Sequence, residues 1–144
     1  MGFAPDHWHE ISVRVYYEDT DFSGVVYHAN YLRFAERGRS DCLRDLGIHH
    51  TELAALTPAL VFVVTQMQMA FHSPARIDDL LRVRTRFIDA RGARMHIEQN
   101  IYCGDTVLWS AQVGAACADL NGRPRRLPPD LLASLSQHIE ASAP

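Results

Sequence analysis

The spacing of apolar positions along the chain changes twice. Residues 11–17, ISVRVYY, are β-branched and aromatic and predict a first strand, followed by the Asp- and Gly-containing turn EDTDFSG. From Tyr27 to Leu46 the period becomes helical. Tyr27, Tyr31, Phe34, Ala35, Gly38, Cys42 and Leu46 share one face, while Arg33, Glu36, Arg37, Asp41 and Arg44 take the others. This predicts an amphipathic helix of about five turns. Gly38 in its interior costs roughly 1 kcal/mol against Ala, and its small neighbours Ala35 and Cys42 predict that another backbone passes close. Gly47 supplies a C-cap, and a second helical piece over Thr51–Leu56 is ended by Pro58.

After Pro58 the period is two. Val61, Val63, Thr65, Met67, Met69 and Phe71 are expected to share one face of an unusually long strand. Leu81, Val83, Thr85 and Phe87 then alternate with Arg82, Arg84 and Arg86; Met95, Ile97 and Ile101 follow, and Val107, Trp109, Ala111, Val113 and Ala115 close the series. Turn signals separate the runs at Ser73-Pro74, Arg91-Gly92, Gly104-Asp105 and Asn121-Gly122. The expectation is α+β: a strand, a long helix, then four antiparallel strands joined by short turns, with the helix covering the apolar face of the sheet. Pro128-Pro129 and DLLASLSQHIEA predict a terminal helix with Pro in its first turn.

Composition narrows the function. At 144 residues the chain is expected to be one domain, 1–144. All 14 basic residues are Arg, so Schiff-base lysine, lysine-anchored pyridoxal phosphate and P-loop chemistry are excluded. The net charge of −3, with basic residues not interleaved with exposed aromatics, argues against nucleic acid as a partner. Cys42, Cys103 and Cys117 are odd in number and form no CxxC pair, which fits buried apolar side chains in a reducing, cytoplasmic setting. The N-terminus shows no secretory leader pattern. Residues 53–75 carry no charge, but Pro58, Thr65, Gln66, Gln68 and His72 interrupt them, so a buried strand is expected rather than a membrane span.

The densest polar cluster is Glu18, Asp19 and Asp21, followed by Ser23, Gly24, Tyr27 and His28 at the approach to the helix. Asp19, Asp21, Ser23 and Gly24 fit four positions of a calcium-binding EF-hand loop, but Asn30 stands where its bidentate Glu is needed and a strand precedes the loop. A turn whose carboxylates merely cap the helix is the plainer alternative. The functional one starts from the unpaired N–H groups and the dipole of a helix N-terminus, which would polarise a carbonyl oxygen. A nearby carboxylate could attack that carbonyl or activate a water, the minimum machinery for acyl transfer. No GxSxG elbow or local Cys–His pair offers another nucleophile. His7, His9, His49 and His50 lack partner sets and are expected to be structural or exposed, and no metal site is expected.

The run RVYYEDTDFSGVVYHANYLRFAERGRSDCLRDLGI, Arg14 to Ile48, resembles the signature segment of hotdog-fold acyl-CoA thioesterases of the 4-hydroxybenzoyl-CoA thioesterase-like family, and within it the branch encoded with the bacterial Tol-Pal envelope system. The basic turn GRPRRLP at 122–128 extends the resemblance. It implies a long central helix wrapped by a five-stranded, mainly antiparallel sheet, paired edge to edge into a homodimer or a homotetramer. It also implies hydrolysis of an acyl-CoA to the free acid and coenzyme A, with an acyl carrier protein as a further candidate partner and no cofactor beyond the coenzyme A of the substrate. Asp21 matches the family's carboxylate, nucleophile or general base. Tyr17 and His28 match its proposed helpers, and the His28 backbone N–H matches its donor to the thioester oxygen. Gly24, Tyr27 and Phe22 fall at the substrate; Gly24 would let the chain approach it closely, and Phe22, where small residues are common, would reshape the acyl pocket. The Arg82, Arg84 and Arg86 stripe is a solvated strand face or, with turn residues such as Arg91 and Arg94, a cradle for coenzyme A phosphates. Two other readings keep the fold: a non-catalytic acyl-CoA-binding or envelope-linked interaction module, and a hydratase acting on acyl-carrier-protein substrates.

Overall fold

The computed structural model describes residues 2–142, in the order β1 (Gly2–Phe3), β2 (His9–Arg14), α1 (Asn30–Asp45), α2 (His50–Ala54), β3 (Val61–Phe71), β4 (Leu80–Arg91), β5 (Arg94–Cys103), β6 (Thr106–Ala118) and α3 (Pro129–Ser142). The strands form one antiparallel sheet in the order β1-β2-β4-β5-β6-β3. Alternation decides which face meets α1. Leu81, Val83 and Phe87 of β4, Met95, Ile97 and Ile101 of β5, and Trp109, Ala111 and Val113 of β6 are buried together with Tyr31, Phe34, Ala35, Cys42 and Leu43 of α1. Burying each large apolar side chain contributes roughly 1.5–3 kcal/mol, far more than helix propensity supplies. This is the α+β hotdog arrangement.

α3 closes the end of the core beyond α1. Leu131 and Leu135 join the same cluster, and Ser134 Oγ donates to the Leu46 carbonyl at 3.4 Å. Where β2, α1 and α3 converge, buried His9 pairs Nε2 with Asp45 Oδ2 at 2.7 Å, and Phe3 packs against both His9 and His138. The opposite face of the sheet is polar. Arg82 pairs with Glu10 at 2.8 Å, Arg84 with Asp6 at 2.7 Å, and Arg86 with Glu98 at 3.4 Å, with Arg84 and Arg86 also stacked on Trp8. The arginine stripe is thus an ion-paired strand face.

The structure departs from the sequence expectations in specific places. The sheet has six strands rather than five, because Gly2–Phe3 adds a short strand to β2. The first strand runs His9–Arg14 rather than 11–17, since Tyr16 and Tyr17 turn away into a 3-10 turn, Tyr17–Asp19. β4, β5 and β6 form a hairpin series, but β3 lies beyond β6, so residues 72–79 carry the chain across the sheet instead of making a short turn. In β3 the single-face expectation fails at a bulge. Pairing skips Thr65, so Phe62 and Val64 lie opposite buried Cys117 and Ala115, and the inward phase switches to Met67 and Met69. The crowding at Gly38 comes from side chains rather than backbone: an added Cβ would meet Val83 Cγ1 at 2.7 Å and Thr85 Oγ1 at 3.0 Å. The uncharged stretch 53–75 forms part of α2 and β3, and no helix among the described residues is long and apolar enough to cross a membrane. Cys42 and Cys117 are buried free thiols, and Cys103 is partly buried.

Candidate active site

Between β2 and α1 the chain folds back on itself. Asp21 N donates to Val25 O at 2.9 Å and Gly24 N to Asp21 O at 3.0 Å, and single bridges tie Thr20 to Val26 and Val25 to Arg76. Gly24 has φ +83°, with nothing within 4 Å of a notional Cβ, so this turn needs glycine for its left-handed backbone rather than for space. The bridges hold the chain extended up to Val26, which is why α1 starts at Asn30 rather than Tyr27. The helix has no side-chain cap. Asn30 N donates to Tyr27 O at 2.8 Å, while among the described residues the His28 backbone N–H has no acceptor.

The turn presents Asp21 to solvent. Its Oδ1 accepts from Ser23 Oγ at 2.5 Å and from Ser23 N at 2.9 Å. These bonds, the hydroxyl first, outweigh partial desolvation and hold the carboxyl below its ordinary pKa of 3.8, with a smaller contribution from His28. Asp21 is therefore ionised at neutral pH. It lines an open cavity of about 600 Å³ with Tyr17, Thr20, Phe22, Gly24 and Ile77. The phenol of Tyr17 and the ring of Phe22 are both strongly exposed. His28 lines another cavity, of about 240 Å³, with Val26, Tyr31, Phe71, His72 and Pro74, and its ring lies 4.5 Å from that of Tyr27.

Asp21, Tyr17, Phe22 and Gly24 are thus brought together, with His28 and Tyr27 on the next residues of the same loop. Arg91 and Arg94 are not: they sit exposed at the β4–β5 turn, while the Asp21 loop joins the sheet beside the start of β4, where Val15 N donates to Asp79 O at 2.9 Å. Twelve residues of β4 separate the two ends. Arg91 approaches Asp89 at 3.5 Å. A wider groove of about 830 Å³ runs between β2 and the exposed face of α1, beside Arg14, Tyr16, Glu36, Arg37 and Arg44, and includes neither Asp21 nor His28. Among the described residues no group of three or more His, Cys, Asp or Glu is placed to hold a metal ion.

Sequence reasoning missed the residues that brace this loop. Asp19 is only 8% exposed; its Oδ2 accepts from Tyr16 N at 2.8 Å and its Oδ1 from Asn30 Nδ2 at 2.8 Å. It fastens the loop to the first residue of α1. Tyr31 Oη accepts from Ala75 N at 3.0 Å and anchors the segment that brings Ile77 to the cavity. Asn30, considered only as a failed calcium ligand, is the signal that could have paired Asp19 with the helix start.

With this geometry in place, comparison with known proteins defines the class. The chain belongs to the thioesterase-like superfamily, whose family model matches residues 15–135. It is 41% identical over 127 residues to the acyl-CoA thioester hydrolase YbgC of Escherichia coli O6:H1, covering 87% of this chain and 93% of that protein. It is 42% identical over 115 residues to the acyl-CoA thioesterase YbgC of Haemophilus influenzae, covering 80% and 84%. Among solved structures, a probable thioesterase from Bartonella henselae superposes with a TM-score of 0.82 at 50% identity, covering 84% of this chain and 99% of that one.

Proposed function

We propose that this chain, acting as one thioesterase domain over 1–144, hydrolyses acyl-CoA thioesters to free acid and coenzyme A, with Asp21 as the nucleophile. The observation that carries the reading is an ionised, exposed carboxylate at the mouth of a cavity, seven residues before a backbone N–H that has no acceptor at the approach to α1. The thioester oxygen accepts from the His28 N–H, which together with the positive end of α1 stabilises the charge that develops on it. Ionised at neutral pH and exposed to the cavity, Asp21 is available for direct attack on the polarised carbonyl. Asp21 adds to the carbonyl carbon, the C–S bond breaks, and the thiolate leaves with the electron pair. Water then hydrolyses the resulting mixed anhydride, returning the carboxylate. Tyr17 and His28 flank the reacting group, Gly24 shapes the turn and Phe22 and Tyr27 border the acyl entrance. No cofactor enters the scheme beyond the coenzyme A of the substrate.

An open β3 edge with Val63, Val64 and Phe71 each exposed by 43% or more supports pairing with a second copy, giving a homodimer or a pair of dimers. An acyl carrier protein thioester would meet the same carboxylate, and free thiols at Cys42, Cys103 and Cys117 support a cytoplasmic setting. Arg91 and Arg94 could reach coenzyme A phosphates only from a neighbouring subunit, given their place at the far end of β4.

The test is thiol release over a panel of acyl-CoAs by wild type and Asp21→Asn. The variant should lose at least about a hundredfold in kcat, the scale of a lost reacting group. Near-wild-type turnover would sink the assignment, and thiol-free turnover of an enoyl thioester would favour a hydratase. Single turnover in ¹⁸O-water should place label in the Asp21 carboxylate if the anhydride forms and water opens it at the Asp21 carbon.

A further inference from the structure

A further cavity, of about 140 Å³, lies between α1 and the β3 side of the sheet. One side of it is apolar, formed by Leu43, Phe62, Val64, Phe87, Met95 and Ile97; Arg39 is set beside them, and Glu36, Ser40 and His50 also line it. The position of that arginine is fixed from behind. Arg39 Nη1 donates to Gln99 Oε1 at 2.9 Å, and wholly buried Gln99 is itself held by donating Nε2 to Ala35 O at 2.8 Å and to Thr85 Oγ1 at 2.9 Å. A guanidinium has five N–H donors, and here the partner is a neutral amide. Among the described residues no carboxylate lies within 4 Å of it. Glu36 stands on the rim, exposed, where its Oε1 accepts from Ser40 Oγ at 2.7 Å, and His50 Nε2 is 3.2 Å from the same hydroxyl. Glu36 acts on Arg39 only at a distance, through its field, so no carboxylate pairs directly with this half-buried cation and the arrangement is complementary to a ligand that brings one.

We propose that this cavity receives the far end of the acyl group and that Arg39 selects thioesters whose chain ends in a carboxylate, the half-thioesters of α,ω-diacids. The inference rests on the thioesterase reading above. A cavity of 140 Å³ is close to the roughly 150 Å³ that holds a six-carbon ring, which limits the chain to about four to six carbons. Arg39 lies nine residues along α1 from Asn30, about 14 Å at 1.5 Å per residue, whereas an extended five-carbon diacid spans only about 5 Å. The reacting Asp21 must therefore come from the partner. Two β3 edges paired antiparallel would set the Phe71 end of one, which lines the His28 cavity, against the Phe62–Val64 end of the other, which lines the Arg39 cavity. Exposed Glu36 repels an entering carboxylate through water, a weaker effect than attraction to the more sheltered Arg39.

The experiment measures thiol release from glutaryl-CoA and hexanoyl-CoA by the full-length protein. Wild type should favour glutaryl-CoA in kcat/KM by at least about tenfold, and Arg39→Met should remove about ten- to a hundredfold from glutaryl-CoA alone, mostly through KM. Arg39→Lys should keep part of the preference. Mixed dimers of Asp21→Asn with Arg39→Met should regain glutaryl-CoA activity, because one of their two sites carries both native residues. Equal use of the two thioesters by wild type, equal losses for both in Arg39→Met, or no gain in mixed dimers would overturn the proposal. The wild-type comparison decides even if the variants do not fold. If other acyl-CoAs are cleaved but glutaryl-CoA is not, the Arg39 proposal fails alone; if no acyl-CoA is cleaved, the thioesterase reading fails with it.

Discussion

Asp19 and Asp21, two residues apart, should fail in opposite ways. Asp19 is buried and accepts two hydrogen bonds of 2.8 Å, one from Tyr16 N and one from Asn30 Nδ2. Asp19→Asn keeps one acceptor but turns a donor towards either Tyr16 N–H or the Asn30 amide. A hydrogen bond to a charged group contributes about 1.5–3 kcal/mol, and the bond that survives loses its charge, so the substitution should cost about 2–4 kcal/mol. For a chain of this size that is a fall in Tm of roughly 8–16 °C. Asp21→Asn, by contrast, retains an Oδ1 for both Ser23 donors, and its side chain is in solvent. Its Tm should stay within about 2 °C of wild type while kcat collapses. Thermal melts with the thiol-release assay on both variants make the comparison. Folded Asp19→Asn should keep more activity than Asp21→Asn at a temperature below both melting points. A stable, inactive Asp19→Asn beside an active Asp21→Asn would place the reacting carboxylate two residues earlier and refute the site described above.

His28→Ala removes only an imidazole and should leave much of the activity, whereas His28→Pro deletes the backbone N–H; loss of one such donor typically costs a hundred- to a thousandfold in rate, and equal losses in two folded variants would show that the imidazole matters instead. Ser23→Ala removes the first cause of the depressed Asp21 pKa, so the acid limb of kcat/KM should move up towards pH 3.8 with turnover at pH 7 little changed; an unmoved limb would mean that another group controls it. Burial lowers the pKa of His138 below 6.5, so between the folded and unfolded values the unfolded chain binds more protons. Stability should therefore be full above about pH 7 and fall as pH drops through 6.5 towards the folded value, and His138→Phe should flatten that slope in pH-dependent melts.

Much of the fold is legible because it rests on alternation. Leu81, Val83, Thr85 and Phe87 face the core and Arg82, Arg84 and Arg86 face away, as their spacing predicts, and the same holds for Met95, Ile97 and Ile101. Alternation says nothing about which strand neighbours which, so the placement of β3 beyond β6, where short turns were expected, is not legible in it. Nor does it register a bulge. Val61 to Phe71 reads as unbroken period two, yet one skipped residue, Thr65, exchanges the faces of Val63 and Val64 and turns Val64 towards α1.

The site divides along the same line. Asp21, Gly24 and His28 are contiguous, and their chemistry is local: a carboxylate held by the next turn residues, a left-handed glycine and a helix approach, all within eight residues. What supports them is not local. Asp19 needs Asn30 eleven residues on, Tyr31 needs Ala75, and Arg39 needs Gln99 sixty residues away. Gln99 shows why such partners stay hidden: in sequence it is one polar position on the apolar face of β5, indistinguishable from an error in the pattern. In the fold it is satisfied by Ala35 O, Thr85 and Arg39, beneath the point where Gly38 lets α1 approach most closely. A glycine in a helix interior and a glutamine in a buried strand each break a local rule, and both do so at the same contact. It is there that the helix is held down on the sheet and a cation is left facing the cavity.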